Sequence, residues 1–201
     1  MKDKINILNL YGGVGGNRKN WTNCNVVCVE NDPQIAAVYR DIFPDDTVFV
    51  CDAHQFLLNN LDGFDFIWSS PPCVSHSRAK RLNIATKQSN PIYPDMKLYE
   101  EILFLKYFAR CSYVVENVRP YYKCLIEPSF IIGRHFFWSN KLLLSINAEA
   151  DNIKDDKKIN KHGFDLSGYK GIDKRKLYRN CTSPKTAGYI LSKIFGDEYV
   201  A

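Results

Sequence analysis

Cys73 is the side chain best suited to nucleophilic chemistry, because it directly follows Pro71 and Pro72. Prolines fix the backbone and remove two amide donors, so this thiol lies on a stiff turn. Four basic residues and no carboxylate lie between Ser75 and Gln88. Basic neighbours favour the thiolate, which is the reactive form of cysteine. We therefore interpret Cys73 as a nucleophile. The alternative is a buried structural cysteine, as we interpret the other six.

Three carboxylates also follow apolar runs. Glu116 follows a predicted strand, where partial burial would let it act as a proton donor; the alternative is an acid that caps the next helix. Glu30 comes 20 residues after Leu10, where an acid can accept hydrogen bonds from ribose hydroxyls. Asp52 is placed to accept a hydrogen bond from an exocyclic amine. Glu30 and Asp52 together suggest an adenosine-containing cofactor, and the alternative is two helix-capping or surface acids.

A glycine-rich turn at residues 11–16 reads Tyr-Gly-Gly-Val-Gly-Gly and follows the first apolar run. Glycines let a ligand approach the backbone closely and present amide groups to it. No Gly-Lys-Ser or Gly-Lys-Thr follows, so the sequence does not support a phosphate-binding P-loop. The turn therefore fits a nucleotide-like cofactor, and the alternative is a tight strand-to-helix turn.

Short strands that alternate with helices would position these groups. We predict strands at 5–10, 26–29, 48–50, 64–68 and 112–115, helices at 33–42, 53–60, 95–110 and 183–195, a long basic loop at 74–94, and a hairpin over 136–146 around residues 139–140. Strands separated by helices predict an α/β fold with a mostly parallel sheet and helices on both faces. Ligands bind at the carboxyl ends of such strands, so the polar clusters that follow them predict a site at one sheet edge.

The composition excludes several classes of protein. A chain of 201 residues, 45% hydrophobic and 24% charged, predicts an ordinary folded domain rather than a disordered or fibrous chain. No apolar run approaches the roughly 18 residues that span a bilayer, and the N-terminus lacks the apolar stretch of a signal peptide. Seven cysteines without a CxxC pair predict reduced thiols, no structural metal and a cytoplasmic compartment.

Two basic segments favour contact with a polyanion. The net charge is only +5, but residues 154–193 contain eleven lysines and arginines against four aspartates. The other segment is the basic stretch at residues 75–88. Segments of this kind fit nucleic acid, and the alternative is two solvated loops.

The order and spacing of these groups resemble the cytosine-5 DNA methyltransferase family, which uses S-adenosylmethionine. Residues 9–16 resemble its first motif, an acidic-Leu-Phe-x-Gly-x-Gly-Gly pattern. Residues 70–73 (Ser-Pro-Pro-Cys) match its nucleophile motif, and residues 116–118 match its Glu-Asn-Val motif. Residues 134–137 are similar to a degenerate Arg-x-Arg motif, and residues 179–188 are similar to the last motif. The resemblance covers most of residues 5–138 and about 174–195.

The resemblance implies a Rossmann-like S-adenosylmethionine-dependent methyltransferase fold and methylation of cytosine at carbon 5. Cys73 would attack carbon 6, Glu116 would hold ring nitrogen 3 and the exocyclic amine, and Arg134 would support the base or the catalytic loop. The methyl group would pass from the sulfonium to carbon 5, leaving S-adenosylhomocysteine. A base inside a duplex is unreachable, so the partner would be DNA with a flipped or single-stranded cytosine.

The resemblance also implies binding residues, and no metal. The cofactor-binding residues would be Tyr11, Gly13, Gly15, Gly16, Glu30, Asn31, Asp52, Ala53, Pro71 and Asn180. The nucleic-acid-binding residues would be Ser75, Ser77, Arg78, Lys80, Arg81, Asn117, Lys174, Arg175 and Lys176.

Three departures from the family pattern matter. Asn9 stands where the family has an acid, and residues 133–135 read Gly-Arg-His, which leaves open whether Arg134 or His135 fills the Arg-x-Arg role. The family's large target-recognition region has only about residues 140–173 available here, too short for its own core. We therefore predict a catalytic core at 1–139, a short basic remnant at 140–176, and a C-terminal segment at 177–201 that returns to the core.

The short remnant has three explanations: short or relaxed sequence specificity supported by phosphate contacts, a second subunit that supplies recognition, or a transfer RNA substrate. We favour the first, in a compact phage-like enzyme that masks DNA from restriction in the cytoplasm of a bacterial or phage-infected cell. A non-catalytic relative that binds DNA or a partner protein is the remaining alternative.

Overall fold

The computed structural model describes residues 4–143 and 162–201. The strands are β1 Ile5–Leu10, β2 Cys24–Val29, β3 Thr47–Phe49, β4 Phe66–Ser69, β5 Ser112–Val118, β6 Phe130–Ile132 and β7 His135–Ser139. The helices are α1 Pro33–Ile42, α2 Ala53–Asn59, α3 Arg78–Ala85, α4 Lys97–Phe108, α5 Lys174–Asn180 and α6 Pro184–Phe195. Among these helices none is long and apolar enough to cross a membrane.

The seven strands form one sheet in the order β3-β2-β1-β4-β5-β7-β6. Strands β3, β2, β1, β4 and β5 are parallel, whereas β7 is antiparallel to both β5 and β6. The mostly parallel sheet confirms the predicted Rossmann-like methyltransferase fold. Because the order reverses between β1 and β4, the sheet has a switch point where a ligand crevice is expected.

The sheet is buried on both faces, as expected for parallel strands. In β1, Ile7 packs into the cluster that contains α6, whereas the next residue, Leu8, packs into the cluster that contains α2 and α4. Successive side chains of a strand point to opposite faces, so one short apolar run serves both clusters. The chain end also joins the first cluster, where Val200 forms a β-bridge with Trp21.

The start of α1 follows the local signals in the sequence. The Asp32 side chain accepts hydrogen bonds from the backbone N–H groups of Gln34 and Ile35, at 2.9 and 3.3 Å. Pro33 occupies the first helical position, where its missing N–H costs nothing. The helix ends at Ile42, before Pro44, so the prediction for this element is confirmed.

The segment at residues 74–94 contains helix α3, where we predicted a loop. The Ser77 hydroxyl caps this helix by accepting a hydrogen bond from the backbone N–H of Lys80 at 3.1 Å. None of the residues of α3 is buried, so the helix has no apolar stripe. A prediction based on hydrophobic periodicity had no signal to detect here.

The predicted hairpin around residues 139–140 is wrong. The hairpin joins β6 to β7 instead, and its turn contains Gly133 in the left-handed region with φ +57. Asn140 binds back to the sheet, accepting a hydrogen bond from the backbone N–H of Tyr113 and donating one to the carbonyl of Cys111. Residues 144–146 of the predicted hairpin lie outside the described residues.

Part of the predicted basic remnant at 140–176 contributes to a third apolar cluster. Phe164 and Leu166 are buried against Val14 and Val38, beside Leu177 of α5. Residues 144–161 of the remnant lie outside the described residues, and the three proposed segment boundaries stay predictions. The described part therefore packs on the core through buried Phe164 and Leu166 and partly buried Tyr169 and Ile172, in a largely hydrophilic stretch.

Candidate active site

A cavity of about 440 Å³ lies at the carboxyl ends of the central strands. Tyr11 follows β1, Glu30 follows β2, Cys73 follows β4, and Glu116 belongs to β5; all four line this cavity. The sequence placed Glu116 after its strand, but β5 continues to Val118, so Glu116 is a strand residue opposite Phe137. The sheet thus brings together four polar groups that are far apart in sequence.

The predicted site residues divide into two groups. The cavity is lined by Tyr11, Gly13, Gly16, Glu30, Asn31, Pro71, Cys73, Glu116, Asn117, Lys176 and Asn180. Outside its lining lie Gly15, Asp52, Ala53, Ser75, Ser77, Arg78, Lys80, Arg81, Arg134, Lys174 and Arg175. Their assigned roles stay predictions, and the following contacts show what each environment permits.

The glycine turn is held by Glu30. The Gly13 backbone N–H donates to Glu30 Oε2 at 2.9 Å, and the Asp32 backbone N–H donates to Glu30 Oε1 at 3.0 Å. Gly13 has φ +56, and a Cβ added there would meet no atom within 4 Å. The turn is therefore open toward the cavity, while one buried carboxylate fixes its shape.

Gly16 lets the C-terminal segment approach the turn closely. A Cβ at Gly16 would lie 2.2 Å from the Sγ atom of Cys181 and 2.4 Å from the carbonyl oxygen of Thr182. Gly15 serves packing rather than the cavity, because its Cβ would lie 2.2 Å from the Phe43 ring. The two glycines thus permit close approaches on opposite sides of the turn.

Asp52 and Ala53 begin helix α2 instead of lining the cavity. The Asp52 carboxylate accepts a hydrogen bond from the Gln55 backbone N–H at 2.8 Å, and Lys97 Nζ lies 3.4 Å from its other oxygen. The cap hydrogen bond and Lys97 lower the pKa of Asp52. Ala53 is buried as the first residue of the helix. The helix-capping alternative therefore describes the contacts of Asp52.

The Cys73 thiol is largely shielded from solvent, and its pKa is raised. Burial is the main cause, and the charge of Glu116 adds to it, while Arg134 and Arg179 lower the pKa. The basic groups that favour the thiolate are Arg134 and Arg179, and burial and Glu116 outweigh them. The thiol must lose its proton before or during any attack.

Glu116 is buried, with 7% of its surface exposed, and has three polar neighbours. Its Oε2 atom accepts hydrogen bonds from the hydroxyl of Ser70 at 2.9 Å and the hydroxyl of Thr182 at 3.3 Å. The Nε2 atom of His135 lies 3.6 Å from its Oε1 atom. Three separate parts of the chain therefore surround this one carboxyl group.

Asn117 stabilises the turn that carries Cys73. Its side-chain amide donates to the carbonyl of Pro71 at 2.9 Å, and its Oδ1 atom accepts from the Val118 backbone N–H at 2.9 Å. Asn117 is 1% exposed, so both ends of its amide are used inside the protein. We predicted a nucleic-acid contact here, whereas the structure gives Asn117 a positioning contact between β5 and the Pro-Pro-Cys turn.

The predicted nucleic-acid residues around α3 bind the neighbouring backbone. Arg78 Nε donates to the carbonyl of Pro120 at 3.4 Å, and Arg81 donates to the carbonyl of Tyr121 at 3.3 Å. The Ser75 hydroxyl oxygen accepts a hydrogen bond from the Asp95 backbone N–H at 3.0 Å. The two arginine contacts fasten the segment after Cys73 to the connection between β5 and β6, and the Ser75 contact fastens it to the residues before α4.

The remaining predicted basic residues lie on α5 and on the β6–β7 turn. Lys174 Nζ donates to the carbonyl of Ser167 at 2.8 Å, whereas Arg175 and Lys176 are exposed. Arg134 has a buried Nε atom that has no hydrogen-bond partner among residues 4–143 and 162–201. A buried guanidinium nitrogen of this kind is available for a ligand.

Ser70, Arg179 and Thr182 line the cavity, although the sequence pattern assigned them no role of their own. His135, the open candidate for the Arg-x-Arg role, also lines it, whereas Arg134 does not. All four lining residues lie inside the recognised motifs. Their position within the motifs was the feature of the sequence that could have identified them as residues of the site. Their contacts depend on the folded sheet, which the sequence pattern does not describe.

A buried carboxylate lies behind the cavity at Glu101, which is 1% exposed. The Tyr11 and Ser69 hydroxyls donate to it, the latter at 2.5 Å, and the Nδ1 atom of His54 lies 3.0 Å away. Burial and then the charge of Glu101 raise the pKa of Tyr11, so its hydroxyl keeps its proton and donates. The network connects helix α4 to the ends of β1 and β4.

Comparison with known proteins gave one family and several solved structures. Residues 5–119 match the family model described as C-5 cytosine-specific DNA methylase, and no curated protein matches the chain. A mutant DNMT2 from Spodoptera frugiperda is 16% identical, with 72% of this chain and 56% of that chain covered and a TM-score of 0.48. The Entamoeba histolytica methyltransferase EhMeth is 14% identical, with 58% and 39% covered and a TM-score of 0.35.

A third similar structure is a putative DNA modification methyltransferase encoded within an E. coli prophage. It is 19% identical, with 58% of this chain and 33% of that chain covered and a TM-score of 0.40. The chain therefore spans less than two thirds of the length of each of these three proteins.

Proposed function

The chain belongs to the C-5 cytosine-specific DNA methylase family, and from this premise we propose that it transfers a methyl group from S-adenosylmethionine to carbon 5 of cytosine in DNA. The observation that carries the proposal is the position of Cys73 and Glu116 on one cavity at the ends of adjacent strands. A nucleophile and a hydrogen-bonding acid on one cavity can act on the same pyrimidine ring.

The part of the cavity near β1 and β2 fits the cofactor. Gly13 is open toward the cavity, and Glu30 is fixed at the end of β2, where an acid can bind ribose hydroxyls. Asn31 and Asn180 would add polar contacts from the same lining. S-adenosylmethionine would supply a methyl group on a positively charged sulfur.

Cys73 makes the covalent bond in the proposed reaction. Its sulfur attacks carbon 6 of cytosine as a thiolate, and the new bond makes carbon 5 nucleophilic. After methylation, carbon 5 loses its proton, and the electron pair of that bond expels the thiolate from carbon 6. The positive charges of Arg134 and Arg179 favour the thiolate while it forms.

Glu116 stabilises the base during the attack. Its carboxyl group would hold ring nitrogen 3 and the exocyclic amine, where negative charge develops as the sulfur–carbon bond forms. Asn117 keeps the Cys73 turn fixed to the same strand through the carbonyl of Pro71. Because Asn117 is the neighbour of Glu116 in β5, its hydrogen bond to Pro71 sets the distance between Cys73 and Glu116.

DNA would enter with its target base flipped out or already unpaired, because ring atoms inside a duplex are unreachable. Exposed Lys176 and Arg179 on the cavity lining, and the basic helix α3, support contacts to phosphates. We infer short or relaxed sequence specificity, with recognition by a second subunit as the alternative. The seven unpaired cysteines support a reducing compartment such as the cytoplasm of a bacterial or phage-infected cell.

The direct test is covalent trapping on 5-fluorocytosine, which blocks release of the thiol after methyl transfer. We expect wild-type protein with S-adenosylmethionine to form an adduct with duplex DNA that survives denaturation. Cys73→Ser should form no adduct, whereas Cys51→Ser, at an exposed cysteine between β3 and α2, should behave as wild type.

Substrate choice is tested by comparing duplex DNA, single-stranded DNA and transfer RNA at equal cytosine content. Methylation of transfer RNA alone would show that DNA is the wrong substrate. If wild-type protein with cofactor modifies none of the three, the catalytic proposal is wrong and a binding function takes its place.

A further inference from the structure

The two oxygens of the Glu116 carboxyl group have different surroundings. Oε2 accepts hydrogen bonds from the hydroxyls of Ser70 and Thr182, at 2.9 and 3.3 Å. Oε1 accepts no hydrogen bond from residues 4–143 and 162–201, and His135 Nε2 lies 3.6 Å from it on the cavity lining. The two hydroxyl donors thus hold the carboxyl group through Oε2, and His135 lies on the Oε1 side.

The Ser70 hydroxyl also binds a tryptophan. The indole Nε1 of Trp68 donates to Ser70 Oγ at 2.8 Å, and an indole N–H can only donate. The Ser70 oxygen accepts this bond, and its hydroxyl proton is donated to Glu116 Oε2. Trp68 is fully buried, so this arrangement is part of the core.

The two hydroxyl donors occupy Oε2 and fix the orientation of the carboxyl group. Oε1 has no hydroxyl donor among residues 4–143 and 162–201, so it is the oxygen available to ring nitrogen 3 or the exocyclic amine of a cytosine in the cavity that Glu116 lines.

We propose that Ser70 and Thr182 are positioning residues that hold Oε2 of Glu116 and leave its Oε1 available to the pyrimidine. The inference rests on the proposed function and extends it to two residues outside the roles assigned above. It also gives the C-terminal segment a part in the reaction, since Thr182 lies between α5 and α6.

The competing explanation is that the Thr182 hydroxyl only fastens the C-terminal segment to the sheet. Its neighbours Asn180 and Cys181 line the same cavity, so a loosened segment would weaken cofactor binding. A structural role would therefore raise the KM for S-adenosylmethionine. A positioning role acts on Glu116 and would lower kcat.

The test compares Thr182→Val, which removes the hydroxyl at nearly constant volume, with Thr182→Ser, which restores it. Ser70→Ala removes the other donor. Ser192→Ala is the matched control, because its hydroxyl binds the carbonyl of Tyr189 within α6 and is outside the cavity lining. For each protein we would measure kcat, both KM values, the rate of 5-fluorocytosine trapping, and urea unfolding.

We expect Thr182→Val and Ser70→Ala each to lower kcat and the trapping rate about tenfold, as for a lost hydrogen bond to a charged group. The KM for S-adenosylmethionine should stay within about twofold, and Thr182→Ser should recover most of the rate. Unfolding curves show which variants are folded, and Thr182→Val decides the question if Ser70→Ala does not fold.

Three results would overturn the inference: an unchanged kcat in Thr182→Val, a change confined to the KM for the cofactor, or equal losses in Thr182→Val and Thr182→Ser. An inactive wild-type protein would instead refute the proposed function, and the inference with it. If the wild-type protein is active and Thr182→Val and Ser70→Ala are unaffected, only the positioning role of these two residues is refuted, and the proposed function stands.

Discussion

The hydroxyl group of Tyr11 donates a hydrogen bond to the carboxylate of Glu101, which lies 90 positions away in the sequence. Tyr11 has φ +58, a left-handed conformation that is costly for a residue with a Cβ. The hydrogen bond and the packing of the partly buried ring offset this cost. The result is an aromatic side chain held on the cavity lining at the end of β1.

Tyr11→Phe should lower both stability and cofactor affinity. The variant leaves Glu101 with two polar neighbours instead of three, and we expect the free energy of unfolding to fall by about 1–3 kcal/mol. Binding of S-adenosylhomocysteine should weaken several-fold, because the ring is no longer fixed. Urea unfolding and calorimetric titration measure the two effects.

Tyr107→Phe is the control, since Tyr107 lies on the same helix as Glu101 and is 71% exposed. Equal behaviour of the two variants would mean that the Tyr11 hydroxyl contributes nothing.

Gly16→Ala should disturb the C-terminal segment. The added Cβ would lie 2.2 Å from Cys181 Sγ and 2.4 Å from the Thr182 carbonyl oxygen, so residues 181–182 must move. Overpacking of this kind costs about 1–3 kcal/mol. We expect lower stability in urea unfolding and slower methyl transfer.

Gly168→Ala provides the comparison, because a Cβ there meets no atom within 4 Å. A Gly16→Ala protein with wild-type stability would show that the close approach of the two segments is not required.

The rate of covalent trapping should rise with pH. Burial and Glu116 raise the pKa of Cys73, so below that pKa the thiolate fraction grows about tenfold for each pH unit. Trapping rates at saturating 5-fluorocytosine DNA, measured from about pH 7 to pH 9, test this dependence. A flat profile would contradict a protonated resting thiol.

Arg179→Gln should raise the pKa of Cys73 further, since Arg179 is one of the two charges that lower it. At pH 8 we therefore expect slower trapping than in wild type. Lys185→Gln removes a positive charge from an exposed position on α6 and should leave the rate unchanged. Equal rates in the two variants would exclude a role for Arg179.

The protein should lose stability in mild acid through His76. Burial lowers the pKa of His76 in the folded protein, against an opposing effect of Asp95. Below about pH 6.5 the unfolded chain takes up a proton at this residue that the folded protein does not, so the free energy of unfolding falls as pH falls.

Urea unfolding of wild type and His76→Gln at several pH values from about 5 to 7.5 tests this origin. The variant should show a weaker fall toward acid, although it also loses the contact between His76 Nδ1 and the Tyr122 hydroxyl at 2.5 Å. Parallel pH curves for the two proteins would assign the effect to other groups.

Local signals were sufficient where one segment determines its own structure. Asp32 and Pro33 are adjacent cap and first-turn residues, so α1 was predictable from a few letters. The alternation of short apolar runs and helices predicted the parallel sheet, and hence the meeting of Cys73 and Glu116 at one edge.

Other features depend on partners that the pattern does not contain. Helix α3 has no buried residue, so its formation rests on the Ser77 cap and on arginine contacts to residues 120–121. The pKa of Cys73 depends on burial as well as on charge, so counting basic neighbours does not give the direction of its net shift. The Thr182 hydroxyl reaches Glu116 across 66 positions, a distance that no local motif specifies.

The hydrogen bond from Thr182 has a consequence for the nascent chain during translation. The ribosome adds about 5–20 residues each second, so roughly 3–13 seconds pass between synthesis of Glu116 and synthesis of Thr182. Through that interval the strand that carries Glu116 has been made, while the hydroxyl that orients its carboxyl group has not. The active site would therefore be completed only in the last stage of folding, when helix α6 docks on the sheet.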